Sequence, residues 1–403
     1  MFRFAWRNLW RNTRRTGITL AAVMLNTAIL IIFYGLNEGL ILNLVRNSTQ
    51  LVVGEAQAHA PGYLEDHSFY KSLDGPEEAV QALEAAGVGA APRSYGYGLV
   101  SVGSKSAGGV FWGIDPTREK ATFDLARHVM EGRYLADRAE RGAVLGRKLA
   151  SSLNATVGSE IIVVVQAADG SLGNELYTVT GILKTAGEAI DRGAVILHRS
   201  DFQDLFVSGG RVHEIAMNTH NRLPLDELAT KARALMPAAQ VKTWRQLLPM
   251  LSDMLRIMDG ALAVFGAIFF LAGGLGVMNT MLMATYERIR EIGIQKALGA
   301  TPLRIVAGVT AEALVLALAA TAGGALLGLA CTYYLKTVGI DTTGFAGEFT
   351  FSGMAFDPVW RSVLVTKVVA MPVVIMWVTC TLAALYPAVL AARLDPVRAI
   401  HHT

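Results

Sequence analysis

Few of the residue spacings in this chain that could support bond-making chemistry survive inspection. His213-Glu214 opens like the H-E-x-x-H helix of zinc proteases, but Met217 stands where the second histidine belongs. No G-x-S-x-G nucleophile turn occurs, and Gly103-Ser104-Lys105-Ser106 is too short to be a phosphate-wrapping G-x-x-x-x-G-K-[ST] loop. Glu65, Asp66 and His67, beside Tyr63 and Tyr70, read as a solvated turn. What remains is the segment from Tyr286 to Thr301, where Glu287, Arg288, Arg290, Glu291 and Lys296 crowd into about three helical turns. Its chemistry is ion pairing with a soluble surface. Gly293 permits close approach, Ile292 and Leu298 anchor the helix to a membrane edge, and Gly299 closes it ahead of Thr301, an N-cap for the next helix.

The elements around that segment are apolar. Residues AVILMFWYC make up 52% of the chain and charged ones 17%, which points to a membrane protein, and the net charge of +3 gives no nucleic-acid footprint. Four stretches exceed the ~20 residues that cross a bilayer as helix: 18–45, 257–286, 303–335 and 363–392. Between the first two lies a soluble insert, 46–250. The charged linker is 287–302, a short loop is 336–362, and the tail is 393–403. Cys331 and Cys380 fall inside apolar runs and read as small buried side chains, not a disulfide.

Basic residues are retained in the cytoplasm. Arg3, Arg7, Arg11, Arg14 and Arg15 precede the first span, Arg288, Arg290, Lys296 and Arg304 join the second to the third, and Arg393 and Arg398 follow the fourth. With four spans all three clusters lie on one side, so both termini are cytoplasmic and the insert is outside. The run preceding Ala56-Gln57-Ala58 is too long, and that site too distant, for a cleaved signal peptide. Residues 1–17, with Phe2, Phe4, Trp6 and Trp10 among arginines, read as an interfacial amphipathic helix.

The insert has the texture of mixed α/β. Gln50 to Ala58 and Tyr97 to Ile114 are strand-like, and Pro76 to Ala86 is helical. Gly158 to Gln166 and Glu175 to Leu183 form a β pair around Asp169-Gly170. Asp201 to Phe206 and Pro224 to Leu235 are helical, with a strand at Glu214 to Asn218. The pattern suggests two interlocked lobes instead of one sheet. Ser94 to Gly109, with Tyr95 and Tyr97 among glycines, is a hairpin and a candidate partner hook.

Glu287-Arg288-Ile289-Arg290-Glu291-Ile292-Gly293-Ile294, followed by Lys296-Ala297-Leu298-Gly299-Ala300, resembles the linker of MacB-superfamily permeases, the FtsX-like or type VII ABC transporters. Gly142 to Ala150 with Val157-Gly158, and Arg393-Leu394-Asp395-Pro396-Val397-Arg398, support the resemblance. It implies an α-helical membrane protein with four transmembrane helices and a large extracytoplasmic α/β domain, divided into porter and Sabre-like subdomains, between the first two. It also implies a coupling helix, Glu287, Arg288, Arg290, Glu291, Gly293, Lys296 and Gly299, seated on a LolD- or MacB-like nucleotide-binding subunit that binds ATP and Mg. This chain carries no cofactor or metal of its own in that reading. The layout is most similar to the lipoprotein-releasing permeases LolC and LolE.

Asn26, Gly273, Gly276, Asn279, Gly324 and Gly328 are candidates for helix packing or for dimerisation with an identical or paralogous permease. Glu312, the ionisable residue of the third span, marks a cavity or pairs near its cytoplasmic end. Three functions share the linker motif: lipoprotein release to a periplasmic carrier is the first reading, efflux or peptide export through an adaptor the alternative, and signal transmission without cargo the third.

Overall fold

The computed structural model describes residues 13–183, 187–341, 350–351, 354–355, 359–395 and 399. The interfacial segment up to residue 12, most of the 336–362 loop and the Pro396-Val397-Arg398 end of the C-terminal motif lie outside the described residues. The chain forms two compact units, one from Met1–Leu42, Leu255–Phe345 and Val359–Thr403, the other from Asn43–Met254 and Ala346–Pro358.

Among the described residues four helices are long and apolar enough to cross a membrane. They are α1 (Thr13–Ser48), α2 (Pro249–Glu287), α4 (Pro302–Thr337) and α5 (Thr366–Arg393), with the short α3 (Ile289–Ala297) between the second and third. Pro372 and Pro387 stay inside α5 without ending it, as membrane helices tolerate when neighbours satisfy the freed carbonyls. Val23, Leu30, Val277, Met281, Leu316, Met376 and Cys380 form the shared core. Cys331, expected to be buried, is exposed instead.

Helices pack in lipid through small residues and a few polar links, because the surrounding chains are as apolar as the helices. Asn26 Nδ2 donates to the Phe269 carbonyl at 2.8 Å, and the Thr19 and Thr280 hydroxyls meet at 2.6 Å. A Cβ on Gly324 would lie 2.5 Å from the Met24 carbonyl oxygen, and one on Gly328 2.9 Å from Ile31 Cβ. Gly273 sits equally close to Met376 and Asn26. These four residues therefore face inside the chain. Asn279 and Gly276 differ: both are exposed, and nothing lies within 4 Å of a Cβ placed on Gly276.

A closer contact involves Gly35 and Gly39 of α1, which the sequence reading passed over although they spell G-x-x-x-G. Val363 N–H donates to the Gly35 carbonyl at 3.0 Å, and a Cβ on Gly39 would stand 2.0 Å from the Arg361 carbonyl oxygen. Backbone cannot step aside as a flexible side chain can. Gly39→Ala is expected to cost about 3 kcal/mol and to lower the yield of folded, detergent-soluble protein. Gly17→Ala, with open space around it, serves as the silent control.

The external unit is one hydrogen-bonded sheet of ten strands. They are β1 (Ala56–His59), β2 (Gly89–Val102), β3 (Lys105–Ile114), β4 (Val129–Gly132), β5 (Gly142–Gly146), β6 (Glu160–Gln166), β7 (Leu172–Leu183), β8 (Ala194–His198), β9 (Glu214–Asn218) and β10 (Gln240–Thr243). This corrects the expectation of lobes without a common sheet. The physical reason is the length of β2: its first half pairs with β9, its second half with β6, and β3 runs along most of it. Following the pairs β2-β3-β8-β5-β7-β6 returns to β2, so these strands close a barrel. Val100, Phe111, Leu145, Val163, Val179 and Val195 fill it. Phe206 and Phe202 press where Gly96 and Gly113 lack side chains; a Cβ at either would lie within 2.5 Å of a ring.

Of the remaining four strands β4 pairs with β7, and β9-β1-β10 carry helices Pro76–Ala85 and Leu225–Leu235 over a separate core of Val80, Leu83, Ile215, Met217, Leu228 and Ala232. Thr49–Val53, part of a segment read as strand-like, is a π turn continuing from α1. It leads into β1, which lies antiparallel to β10 with Ala56 opposite Thr243. Trp244 N–H donates to the Glu55 carbonyl at 3.0 Å at the same end. A buried charge cluster braces this region. Arg93, 0% exposed, holds Glu119 through two nitrogens at 2.6 and 3.2 Å and Glu214 at 3.0 Å, and donates to the Val52 carbonyl.

His59, Tyr63 and His213 stack beside it, ring centroids 5.4 and 5.5 Å apart. Tyr95 N–H donates to His213 Nδ1 at 2.8 Å, which fixes that ring as the tautomer donating from Nε2 to the Phe69 carbonyl. Burial lowers the pKa of both histidines below their ordinary 6.5. The folded chain therefore holds these protons less tightly than the unfolded one, which binds more of them once pH falls below about 6.5. Stability is expected to be flat above pH 7 and to decline from there to pH 5. A thermal-melting series checks this, and a His59→Gln/His213→Gln variant should flatten the slope.

Candidate functional site

The linker helix α3 begins where α2 ends at Glu287, with Arg288 at the junction. Its end is built by Gly299, whose φ of +95° suits glycine. Gly299 N–H bonds to the Lys296 carbonyl at 3.0 Å and Ala300 N–H to the Gln295 carbonyl at 2.9 Å, the paired closure of a Schellman turn. Pro302, unable to donate, then opens α4 behind Thr301.

Three charged residues of the segment turn inward or sideways to hold neighbouring helices. Arg15 of α1 donates to Glu287 Oε1 at 2.8 Å. Arg288 Nη1 reaches both carboxylate oxygens of Glu312 in α4, at 2.7 and 3.0 Å, while its Nε contacts Glu291 at 3.1 Å. Lys296 Nζ donates to the Ala392 carbonyl at 2.9 Å and to the Leu394 carbonyl, capping the end of α5. Ile292 packs with Ile305 of α4 and Ala391 of α5, and Gly293 is buried on the same side. The linker is thereby tied to all the other spans.

Its opposite side is open. Arg290, Glu291, Ile294, Gln295 and Leu298 are exposed, at spacings of three and four that form one helical face. Leu298, expected to anchor the helix, is 83% exposed, and Ile294 45%. Of the seven residues read as the coupling site, Arg290 and Glu291 belong to this face and Glu287 to its edge. Arg288, Gly293 and Lys296 lie on the packed side, and Gly299 shapes the end. Ile294, Arg15 and Glu312 complete the arrangement. The i, i+4 spacing of Arg290, Ile294 and Leu298 is the signal that could have found the face.

The inward pairs are testable by themselves. Glu312 is 11% exposed at its side chain and Arg288 20%, so removing the guanidinium strips a nearly buried carboxylate of the cation that contacts both its oxygens. Arg288→Met is expected to cost on the order of 3 kcal/mol, read as a lower detergent-melting midpoint, and Arg288→Met/Glu312→Leu should recover most of it. An unchanged midpoint in the single variant would show that the pair contributes nothing.

Comparison with known proteins places this geometry. Residues 16–235 match the family model described as MacB-like periplasmic core domain, and residues 263–396 the FtsX-like permease C-terminal model. The pyoverdine export ATP-binding/permease protein PvdT of Pseudomonas syringae pv. tomato is 25% identical over 432 residues, covering 98% of this chain and 58% of that protein. The ABC transporter permease YknZ of Bacillus subtilis is 28% identical over 246 residues, 60% of this chain and 54% of its own. The chain thus spans between half and two thirds of the length of these relatives. Crystal structures of the periplasmic region of MacB from Actinobacillus actinomycetemcomitans and of the extracellular domain of YknZ give TM-scores of 0.39 and 0.35 at 14% and 15% identity. They cover 53% and 47% of this chain and 98% of each of those chains. With more than half of its residues in the MacB-like core match and most of the remainder in the FtsX-like one, the chain belongs to the MacB/FtsX family of ABC transporter permeases.

Proposed function

We propose that this permease receives motion from an ATP-binding partner on the outward face of α3 and passes it to its external domain. The observation that carries the reading is the two-sidedness of the linker: Glu287, Arg288 and Lys296 bind it to α1, α4 and α5, while Arg290, Ile294 and Leu298 remain exposed. A helix so fastened moves its neighbours when it is moved. The partner, of LolD or MacB type, would bind ATP and Mg. Arginines flanking the spans support an orientation with the linker and both termini in the cytoplasm, and the family resemblance points to the inner membrane of a diderm bacterium.

Export outward of the membrane, with an adaptor, is the cargo reading favoured by the relatives whose names specify pyoverdine export. An exposed apolar patch supports an external partner: Leu99 on β2, two residues from exposed Tyr97, lies opposite Val164 of β6, whose Ile162 faces Leu176 of β7. Extraction of lipoproteins to a carrier is the second reading. It draws on α2, whose most apolar window is 17% buried against 33–39% in the other spans, and which exposes Gly276 and Asn279. That face suits a second permease or an acylated cargo. Co-purification of the membrane complex separates the readings: an adaptor supports export, a bound triacylated protein supports release, and absence of any ATP-binding subunit would overturn both.

A further inference from the structure

An apolar slot of about 470 Å³ opens between α4 and α5, away from the linker and from the face of α2. Ala325 and Leu329 form one wall, and Leu364, Val369, Ala370 and Val373 the other. From Thr366 to Val373 the α5 wall runs about 10 Å, roughly a third of the hydrocarbon layer. The slot lies toward the end of α4 and the start of α5, opposite the arginine-rich linker. Its rim changes character abruptly. One turn beyond Leu329 on the same stripe comes exposed Tyr333, then Lys336; beside Thr366 on α5 stands Lys367, and Trp360 is 40% exposed just before. Among the described residues neither Lys336 nor Lys367 forms an ion pair.

A narrow apolar trough with an exposed lysine beyond it on each of the two helices that form it, Lys336 near the end of α4 and Lys367 near the start of α5, matches an amphiphile with a negative head. We propose that this slot seats an acyl chain of an anionic phospholipid, with its phosphate held between Lys336 and Lys367. The charge of the two lysines selects the occupant: a zwitterionic lipid fills the trough equally well but gains less from them. The site is separate from the cargo question, because it uses α4 and α5 and neither α3 nor the open face of α2.

Native mass spectrometry of the full chain, delipidated and re-exposed to mixed micelles of phosphatidylglycerol and phosphatidylcholine, tests the assignment. Wild type should retain phosphatidylglycerol about tenfold over phosphatidylcholine. Ala370→Phe, which fills the trough, should reduce retention of both lipids about tenfold, while Leu382→Phe, on an exposed part of α5, should behave as wild type. Lys336→Gln/Lys367→Gln should still bind lipid but without preference for the anionic one. Equal retention by Ala370→Phe and Leu382→Phe would overturn the proposal, as would an anionic preference that survives loss of both lysines. Displacement of phosphatidylglycerol by a triacyl lipopeptide at equal concentration would reassign the slot to cargo and overturn it too.

Discussion

Replacing Ile294 and Leu298 together by aspartate is expected to weaken binding of the ATP-binding partner at least a hundredfold while leaving the permease folded. Both side chains are exposed in the free chain, so their burial in a groove is a gain made only on docking. Full burial of a leucine or isoleucine contributes about 1.5–3 kcal/mol, and together they account for two or more decades in Kd. Aspartate loses that gain and adds two charges to be desolvated. The folded permease should be indifferent, since its inward contacts through Ile292, Arg288 and Lys296 are untouched. Pull-down of the partner and its permease-stimulated ATP hydrolysis are the measurements. Retained binding by the double variant would remove the linker face from the mechanism. Charge reversal at Arg290 and Glu291 should have a smaller, salt-dependent effect, because exposed ion pairs are each worth 1 kcal/mol or less.

Arg93→Met is expected to be the most damaging single change in the external unit, at about 3–5 kcal/mol. The guanidinium is surrounded by Glu119, 1% exposed, and Glu214, 6% exposed, with the Phe123 ring 4.4 Å away. Its loss leaves two carboxylates facing each other in a site with little water, and methionine fills the space without answering either charge. The Val52 carbonyl in the π turn loses its donor at the same time. Trp112, 5.9 Å from the guanidinium, provides a fluorescent reporter for the unfolding transition. A triple change of Arg93, Glu119 and Glu214 to apolar residues should recover much of the loss, which separates unpaired charge from poor packing.

How far the sequence discloses this arrangement depends on the range of the interaction. Apolar runs of helical length mark the spans, because crossing a bilayer is a local property of some twenty residues. The linker stands out for the same reason, being charged where its flanks are not. Orientation on α3 was within reach: at about 100° per residue, Leu298 stands about 120° around the helix from Ile292, so both could not anchor the same side. Pairing partners lay further off. The turn at Asp169-Gly170 discloses the pairing of β6 with β7, but nothing local tells β6 to pair with β2 as well, and the barrel closes through contacts between residues 60 or more apart in the chain, such as Leu99 with Val164. Arg93 looks like an ordinary strand arginine until Glu119 and Glu214 arrive from other elements.

The segments leading into β1 and out of β10 attach at one end of a single antiparallel ladder, where Ala56 faces Thr243 and Trp244 bonds to Glu55. Antiparallel neighbours tugged apart at a shared end unzip one rung after another, whereas displacing both together loads no rung. If the proposed motion enters the domain through these two stems, a stroke common to both is expected to leave the ladder unloaded and their spreading to load it, and a cross-link between the stems should then silence the domain without altering a residue of the barrel.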